Sequence, residues 1–357
     1  MIINVISASK GGGAELLVRE LHKYNLGEGV ASKTIYLSGS SSELSSGEEV
    51  IGTNPRRLSN IFNLRKIFKL LLLETDASLT VHSHLTWPFY YVALASIGLK
   101  NVKLVYTEHN TINKRREIPL FWLVERLIYS RYSKIICISG GVHDSLKKWV
   151  GPRLAVRLET IPNGSRIYRL SKRAALKTRK PRLVSVGSLT TKKNFATAIK
   201  AVVQLQDQIE SYEIVGEGPE RQRLEQLIHY EKVEKQVKLV GWSDEIEGYL
   251  GDADLQIIPS VWEGFGLVAV EGMSTGLPII ASNVSGLREV LGSNNPAVTL
   301  VDCPESSEAW VLALKEAIVN LESDDSQKLP MAARTQAEKF TLEAMAGRYL
   351  EVYRSLK

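Results

Sequence analysis

The chain has 357 residues, of which 44% are apolar and 24% charged, ordinary proportions for a soluble globular protein of about two domains. Its two cysteines, Cys137 and Cys303, exclude a cysteine metal cluster and a disulfide framework, which suits a reducing, cytoplasmic setting. No basic-then-apolar leader opens the sequence, and no apolar run approaches the roughly 20 residues of a membrane span.

The net charge of +6 is unevenly placed. Residues 1–165 hold 21 Lys and Arg against 13 Asp and Glu, and the rest holds 24 against 26, so the halves carry +8 and −2. A basic first half suits anionic surfaces such as phosphates, nucleic acid or membrane head groups.

The first half alternates strands and helices. Ile2–Ser7 predicts a strand, and Ala14–Gly27 a helix with an apolar stripe at Leu16, Leu17, Leu21 and Tyr24. Val30–Leu37 is a strand and Ser38–Asn54, rich in Ser, Gly and Glu, a loop. Asn60–Leu73 is a helix. Leu79–Ser83 and Val102–Thr107 are strands, with a short helix between them after Pro88. Phe121–Tyr132 is a helix, Ile135–Ile138 a strand, and Gly140–Trp149 a helix capped by Ser139. Val156–Ile161 is a strand that ends in the turn Pro162-Asn163-Gly164. Ser165–Lys180, basic and poor in apolar residues, reads as an interdomain linker.

The same rhythm then restarts. Strands are expected at Leu183–Val186, Tyr212–Val215, Val237–Val240, Leu255–Pro259 and Pro278–Ala281. Helices are expected at Asn194–Leu205, Glu220–His229, Ile246–Leu250, Leu267–Ser274 and Ser307–Leu321, with a terminal helical segment over Pro330–Leu356. Two runs of alternating strands and helices mean two parallel-sheet α/β domains. Their ligand sites belong at the carboxyl ends of the strands, in a cleft that both domains line.

Three glycines, Gly11, Gly12 and Gly13, follow the first strand. A dinucleotide fingerprint fails at Leu16, and a Walker phosphate loop fails at Ala14-Glu15. What survives is bare backbone at a helix start, able to approach an anion or to form only a tight turn. The second half is denser. In PSVWEGFGLVAVE, a buried strand ends at Pro259, a loop carries Glu263, Gly264 and Gly266 bare the backbone, and Glu271 lies two turns into the next helix. Two carboxylates around free amides suit a sugar nucleotide, since carboxylates accept from hydroxyls and amides donate to a diphosphate.

Glu263 and Glu271, inside PSVWEGFGLVAVEGMSTGLPIIAS, resemble the E-x7-E signature of the retaining glycosyltransferases of family 4, which have the GT-B fold. IPNG at Ile161–Gly164, VGEGPER at Val215–Arg221, VKLVGW at Val237–Trp242, SNVSGLREVL, TEHN at Thr107–Asn110 and GGGAE fall in the family's order over almost the whole chain. The resemblance implies two Rossmann-like domains facing across a cleft. The acceptor side is 1–165, the nucleotide-sugar side 166–340, and a terminal helix over 341–357 crosses back to the first domain.

It also implies roles. His109 would sit beside the donor sugar, Glu263 would contact the sugar hydroxyls and Glu271 the ribose. Phe265, Gly266 and Leu267 would offer amides, and Trp242 would line the base pocket unless it is a core residue. The family's G-R-L-x-x-x-K reads here as Gly187 to Lys193, with Ser188 in place of the Arg; Lys193 keeps the diphosphate-binding position and Lys192 stands ready to compensate. The family needs no bound metal or other cofactor. His82 and His84 form a strand-end pair with no third ligand at useful spacing. Arg221 is either near the base or exposed on a helix.

The implied reaction moves a hexosyl or N-acetylhexosaminyl unit from an NDP-sugar, UDP before GDP-mannose, to an acceptor hydroxyl. The expected acceptor is a polyprenyl-linked glycan of capsule, exopolysaccharide or O-antigen assembly. A sugar-nucleotide epimerase of the same fold is the alternative, and no nucleic-acid motif appears. The cationic stretch Ile61–Leu73 reads either as a helix on the membrane surface or as one packed on the first sheet. Lys114, Arg115 and Arg116 either draw in a lipid pyrophosphate or form a solvated loop.

Overall fold

The computed structural model describes residues 1–10, 12–40, 44–75, 78–110, 116, 118–171, 176 and 179–356. Chain contacts divide it into two units, Met1–Gly164 with Leu342–Lys357, and Ser165–Thr341.

The first unit carries β1 (Ile2–Ile6), β2 (Ser32–Tyr36), β3 (Glu48–Val50), β4 (Leu79–His84), β5 (Val102–Glu108), β6 (Lys134–Cys137) and β7 (Leu158–Thr160). Their order in the sheet is β3-β2-β1-β4-β5-β6-β7, with every neighbour parallel. The second unit carries β8 (Arg182–Val186), β9 (Ser211–Val215), β10 (Val237–Gly241), β11 (Leu255–Ile258), β12 (Ile279–Ser282) and β13 (Val298–Val301). These lie in the order β10-β9-β8-β11-β12-β13, again all parallel. Each is the Rossmann-like doubly wound order, which reverses between β1 and β4 in one sheet and between β8 and β11 in the other.

Central strands are buried throughout, as strands covered by helices on both faces must be. Ser139 caps the helix Gly140–Val150 by accepting from the Val142 amide. The last helix, Leu342–Ser355, packs on the first unit: Met345, Tyr349, Leu350 and Tyr353 join Ile2, Leu17, Leu21 and Val105 in one buried cluster.

Several elements depart from the sequence reading. β3 lies inside Ser38–Asn54, read as loop. It is a three-residue edge strand, polar at Glu48 and Glu49, and is held by Tyr36, whose hydroxyl donates to Glu48 Oε1 at 2.8 Å. β13 and the seven-residue helix Ser285–Leu291 are too short to show a period. The terminal segment is not continuous: Leu329–Ala337 gives way to a 3-10 turn at Glu338–Phe340, and Thr341 is extended before the last helix. The described part of Ser165–Lys180 is also anchored to the second unit. Tyr168 donates its amide to Ser274 Oγ at 2.9 Å, Leu176 is buried, and Arg179 makes two bonds of 2.6 Å to Asp254.

Candidate functional site

In open α/β sheets, ligands bind beyond the carboxyl ends of the strands where the order reverses. In the second unit that place is made by the loops after β8 and β11. The β8 loop runs through Gly187 and exposed Ser188 to a 3-10 turn, Thr191–Lys193. Tight glycine contacts fix it. Gly187 donates its amide to the Val215 carbonyl and Leu189 to the Glu217 carbonyl, both at 2.9 Å. A Cβ at Gly218 would meet the Leu189 backbone, so the turn at Gly216–Gly218 needs its glycines to lie against this loop.

The β11 loop carries Glu263, 8% exposed. Lys193 Nζ donates to its Oε1 at 2.5 Å, Ser260 Oγ donates to the same oxygen at 2.8 Å, and Lys192 Nζ is 3.5 Å from Oε2. Burial works to raise the Glu263 pKa, but the two ammonium groups and Ser260 outweigh it and hold the carboxylate below its usual range. Lys192 lies 3.7 Å over the Trp262 ring, and burial lowers its pKa despite Glu263. Lys193 is therefore not a solvated helix start; it is paired. Lys192, raised in the sequence as a substitute for the missing Arg, shares that carboxylate.

Gly266, in the left-handed region at φ 99°, caps the helix Leu267–Ser274. Phe265 is buried beside it and meets the Phe340 ring edge to face. The first amides of any helix lack intrahelical partners. Glu271 faces Ser165, whose hydroxyl is 3.4 Å from Oε1. Burial pushes its pKa up to about 7, with Ser165 and Arg166 only partly offsetting this. Gly286, on the short helix after β12, would press a Cβ into the Glu263 carbonyl, and Gly266 would press one into Leu287 at 2.5 Å. That helix buttresses the Glu263 loop.

Trp242 follows β10 and is 72% exposed, so the core reading of it is wrong. Glu217 Oε1 and Arg221 lie near the adjoining Gly241, and Arg221 is a half-exposed helix residue paired to Glu217 and Glu225. A surface hollow of 560 Å³ along β10 shares no residue with the Lys193–Glu263 pair.

In the first unit the order reverses between β1 and β4. Gly12 caps the helix Gly13–Gly27 after β1, with nothing within 4 Å of a Cβ placed on it. Gly11, Lys114 and Arg115 lie outside the described residues. His84 ends β4, and its Nδ1 is 3.4 Å from Nε2 of His109, which follows β5. His82 bridges the Tyr353 hydroxyl (2.6 Å) and Thr107 Oγ1 (2.7 Å), with its ring 3.9 Å from His84. Burial pushes the pKa of His109 down to about 4 and those of His82 and His84 well below the usual imidazole value. The fold thus brings a third histidine to the pair, which sequence spacing did not suggest. Among the described residues, though, no group of three His, Cys, Asp or Glu is arranged to hold a metal. Arg116 is not a solvated loop residue: it is half-buried, with its guanidinium 2.7 Å from Glu108.

Residues 11–167 match the family model for glycosyltransferase family 4, and residues 168–339 match the model for group 1 glycosyl transferases. The chain belongs to the glycosyltransferases. This glycosyltransferase is 30% identical over 174 residues to LpsD of Rhizobium meliloti, a lipopolysaccharide core biosynthesis glycosyltransferase, with 48% of each chain covered. It is 28% identical over 253 residues to the UDP-Gal:alpha-D-GlcNAc-diphosphoundecaprenol alpha-1,3-galactosyltransferase of Escherichia coli, covering 64% of this chain and 63% of that one. The chain thus spans about half of the first relative and less than two thirds of the second. Its fold is shared with HepE of Anabaena, solved with UDP and glucose, at a TM-score of 0.81 and 21% identity over 99% of both chains.

Four residues of the glycosyltransferase's second unit escaped the sequence reading. Ser260 and Trp262 sit within the quoted signature but were given no role there. Gly286 lies inside SNVSGLREVL, and its glycine in an otherwise helical heptad was the available signal. Ser165 stood in the presumed linker, 106 residues from Glu271, and no local pattern joins them.

Proposed function

We propose that this glycosyltransferase is a retaining enzyme. It moves a hexosyl or N-acetylhexosaminyl unit from a UDP-sugar to a hydroxyl of a polyprenyl-linked glycan in surface-polysaccharide assembly. The observation that carries the reading is the Lys193–Glu263 pair at the reversal point of the second sheet, with Glu271 on the following helix. Two of these similar proteins, the Escherichia coli enzyme named for a UDP-sugar donor and a lipid-diphosphate acceptor and the HepE structure solved with UDP, support the choice of donor and acceptor.

In this reading Lys193, with Lys192 behind it, neutralises the donor diphosphate, and the amides of Phe265, Gly266 and Leu267 donate to it. Glu263 accepts from sugar hydroxyls and holds Lys193 in place. Glu271 accepts from the ribose hydroxyls, and Trp242 and exposed Ser188 lie at the base and phosphate ends of the nucleotide. The bond from the anomeric carbon to the diphosphate oxygen breaks as the acceptor oxygen bonds the same face of that carbon. The acceptor's proton passes to the departing phosphate oxygen, so no protein base is needed. His109, neutral at physiological pH, contacts the sugar by hydrogen bonding. Gly12 and Gly13 leave bare backbone on the first unit for the acceptor step.

A thermal-shift screen with UDP, GDP, UDP-hexoses, UDP-N-acetylhexosamines and GDP-mannose tests the donor. Stabilisation by UDP and one UDP-sugar is expected. Stabilisation by GDP alone would overturn the uridine assignment, and conversion of the UDP-sugar without any acceptor would mark an epimerase instead.

A further inference from the structure

Three imidazoles meet at the carboxyl end of the first sheet. His82 and His84, two residues apart, point to the same face of β4. Thr107 is the register partner of His84 on β5, and His109 follows Thr107 by two residues, just past the strand end. His82 and His84 are fully buried, and His109 is half-buried. Among the described residues no carboxylate bonds to these rings: His82 bonds Tyr353 and Thr107, and His84 bonds His109. Burial holds all three below the usual imidazole range, so near neutral pH each ring carries a single N–H.

His82 is held at both nitrogens, 2.6 Å from the Tyr353 hydroxyl and 2.7 Å from Thr107 Oγ1. The Tyr349 ring stacks on it at 5.5 Å, and the Tyr353 ring meets it edge-on at 5.6 Å. The His84 ring lies against it, 3.9 Å between centroids. The last helix therefore fixes His82, and His82 backs His84.

His84 has one partner for two nitrogens. Its Nδ1 is 3.4 Å from His109 Nε2, and its own Nε2 is buried with no hydrogen-bond partner. One proton lies between the two rings. Were it on His109, His84 would carry its own proton on Nε2, a buried N–H with no acceptor. Orphaned buried N–H groups are rare in folded proteins, and bare acceptors are less so. The proton therefore belongs to His84 Nδ1, which donates to His109 Nε2. His109 then carries its proton on Nδ1, which has no partner among the described residues.

We propose that His84 is a positioning residue for His109: it fixes the ring as the Nδ1–H tautomer and occupies the acceptor at Nε2. The proposal deepens the transfer reading and rests on it for the identity of the group that His109 meets. With the donor sugar against His109, Nδ1–H donates to a sugar oxygen. Neither ring nitrogen is then open to take the acceptor's proton.

The test is long-range proton–nitrogen correlation NMR near neutral pH on the full chain carrying isotope-labelled histidine. Wild type is compared with His84→Leu and His84→Asn, and His109→Gln assigns the signals. Wild type should show His109 as Nδ1–H. In His84→Leu the donor is gone, and His109 should revert to Nε2–H, the form a histidine side chain prefers in water. His84→Asn sets an amide N–H near the place of Nδ1 and should keep the wild-type tautomer. The wild-type spectrum decides the tautomer by itself, so the proposal stays testable if His84→Leu folds poorly. An Nε2–H His109 in wild type, or an unchanged tautomer in folded His84→Leu, would overturn it. The second readout is turnover of whichever UDP-sugar stabilises the chain most in the thermal-shift screen. His84→Leu should lower kcat about tenfold with UDP affinity unchanged, and His84→Asn should restore most of it. The expected tautomers together with wild-type turnover in both His84→Leu and His109→Gln would leave the tautomer assignment standing and remove His109 from the sugar site.

Discussion

Lys193 Nζ and Glu263 Oε1 are 2.5 Å apart, although they come from two loops 70 residues apart in sequence. Removing one partner of a buried pair costs more than the pair contributes, because the other charge is left stranded. Lys193→Ala should therefore lose about 1–3 kcal/mol of stability, cushioned by Lys192, and about 10²–10³ in kcat/KM. Glu263→Gln, which keeps the shape, should lose less stability but comparable turnover. Urea melts and steady-state kinetics check both; Lys193→Ala with wild-type turnover would remove Lys193 from the chemistry.

Glu271 sets a pH dependence. Burial raises its pKa to about 7, so below that pH it holds a proton and loses acceptor capacity. UDP-sugar affinity should be full above pH 7 and weaken toward tenfold per unit below it. Its contribution to fold stability runs the other way: it is fully present below an ordinary carboxyl pKa and lost as pH rises through about 7. Titration calorimetry from pH 5.5 to 8.5 should show the affinity slope in wild type and a flat profile in Glu271→Gln.

Gly286 tests the buttress. A Cβ there would meet the Glu263 carbonyl carbon at 2.9 Å, so the Glu263 loop or the helix must shift. Gly286→Ala should destabilise the protein by about 1–3 kcal/mol and lower kcat more than nucleotide affinity, as melting and binding measurements together will show.

Gly12 tests the first unit. Its φ of −88° suits any residue, and open space surrounds its Cβ position. Gly12→Val should fold normally, bind UDP normally and turn over more slowly. Abolished UDP binding would contradict the assignment of the nucleotide to the second unit.

Much of this was legible in the sequence. Buried strands such as β1 and β5 and the stripe at Leu17 and Leu21 pointed to the parallel-sheet units, because burial on both faces leaves a strong apolar signal. β3 and β13 were not legible, since three- and four-residue edge strands carry too little pattern. Side-chain pairing was hidden for a different reason. Lys193 with Glu263 and His84 with His109 join residues at or beyond the ends of different strands, and only the strand order brings them together.

The central claim is retaining transfer from a UDP-sugar. Its most direct measurement is the anomeric configuration of the product, read by NMR after transfer from an α-linked UDP-sugar. An α-linked product is predicted; a β-linked product would contradict the account.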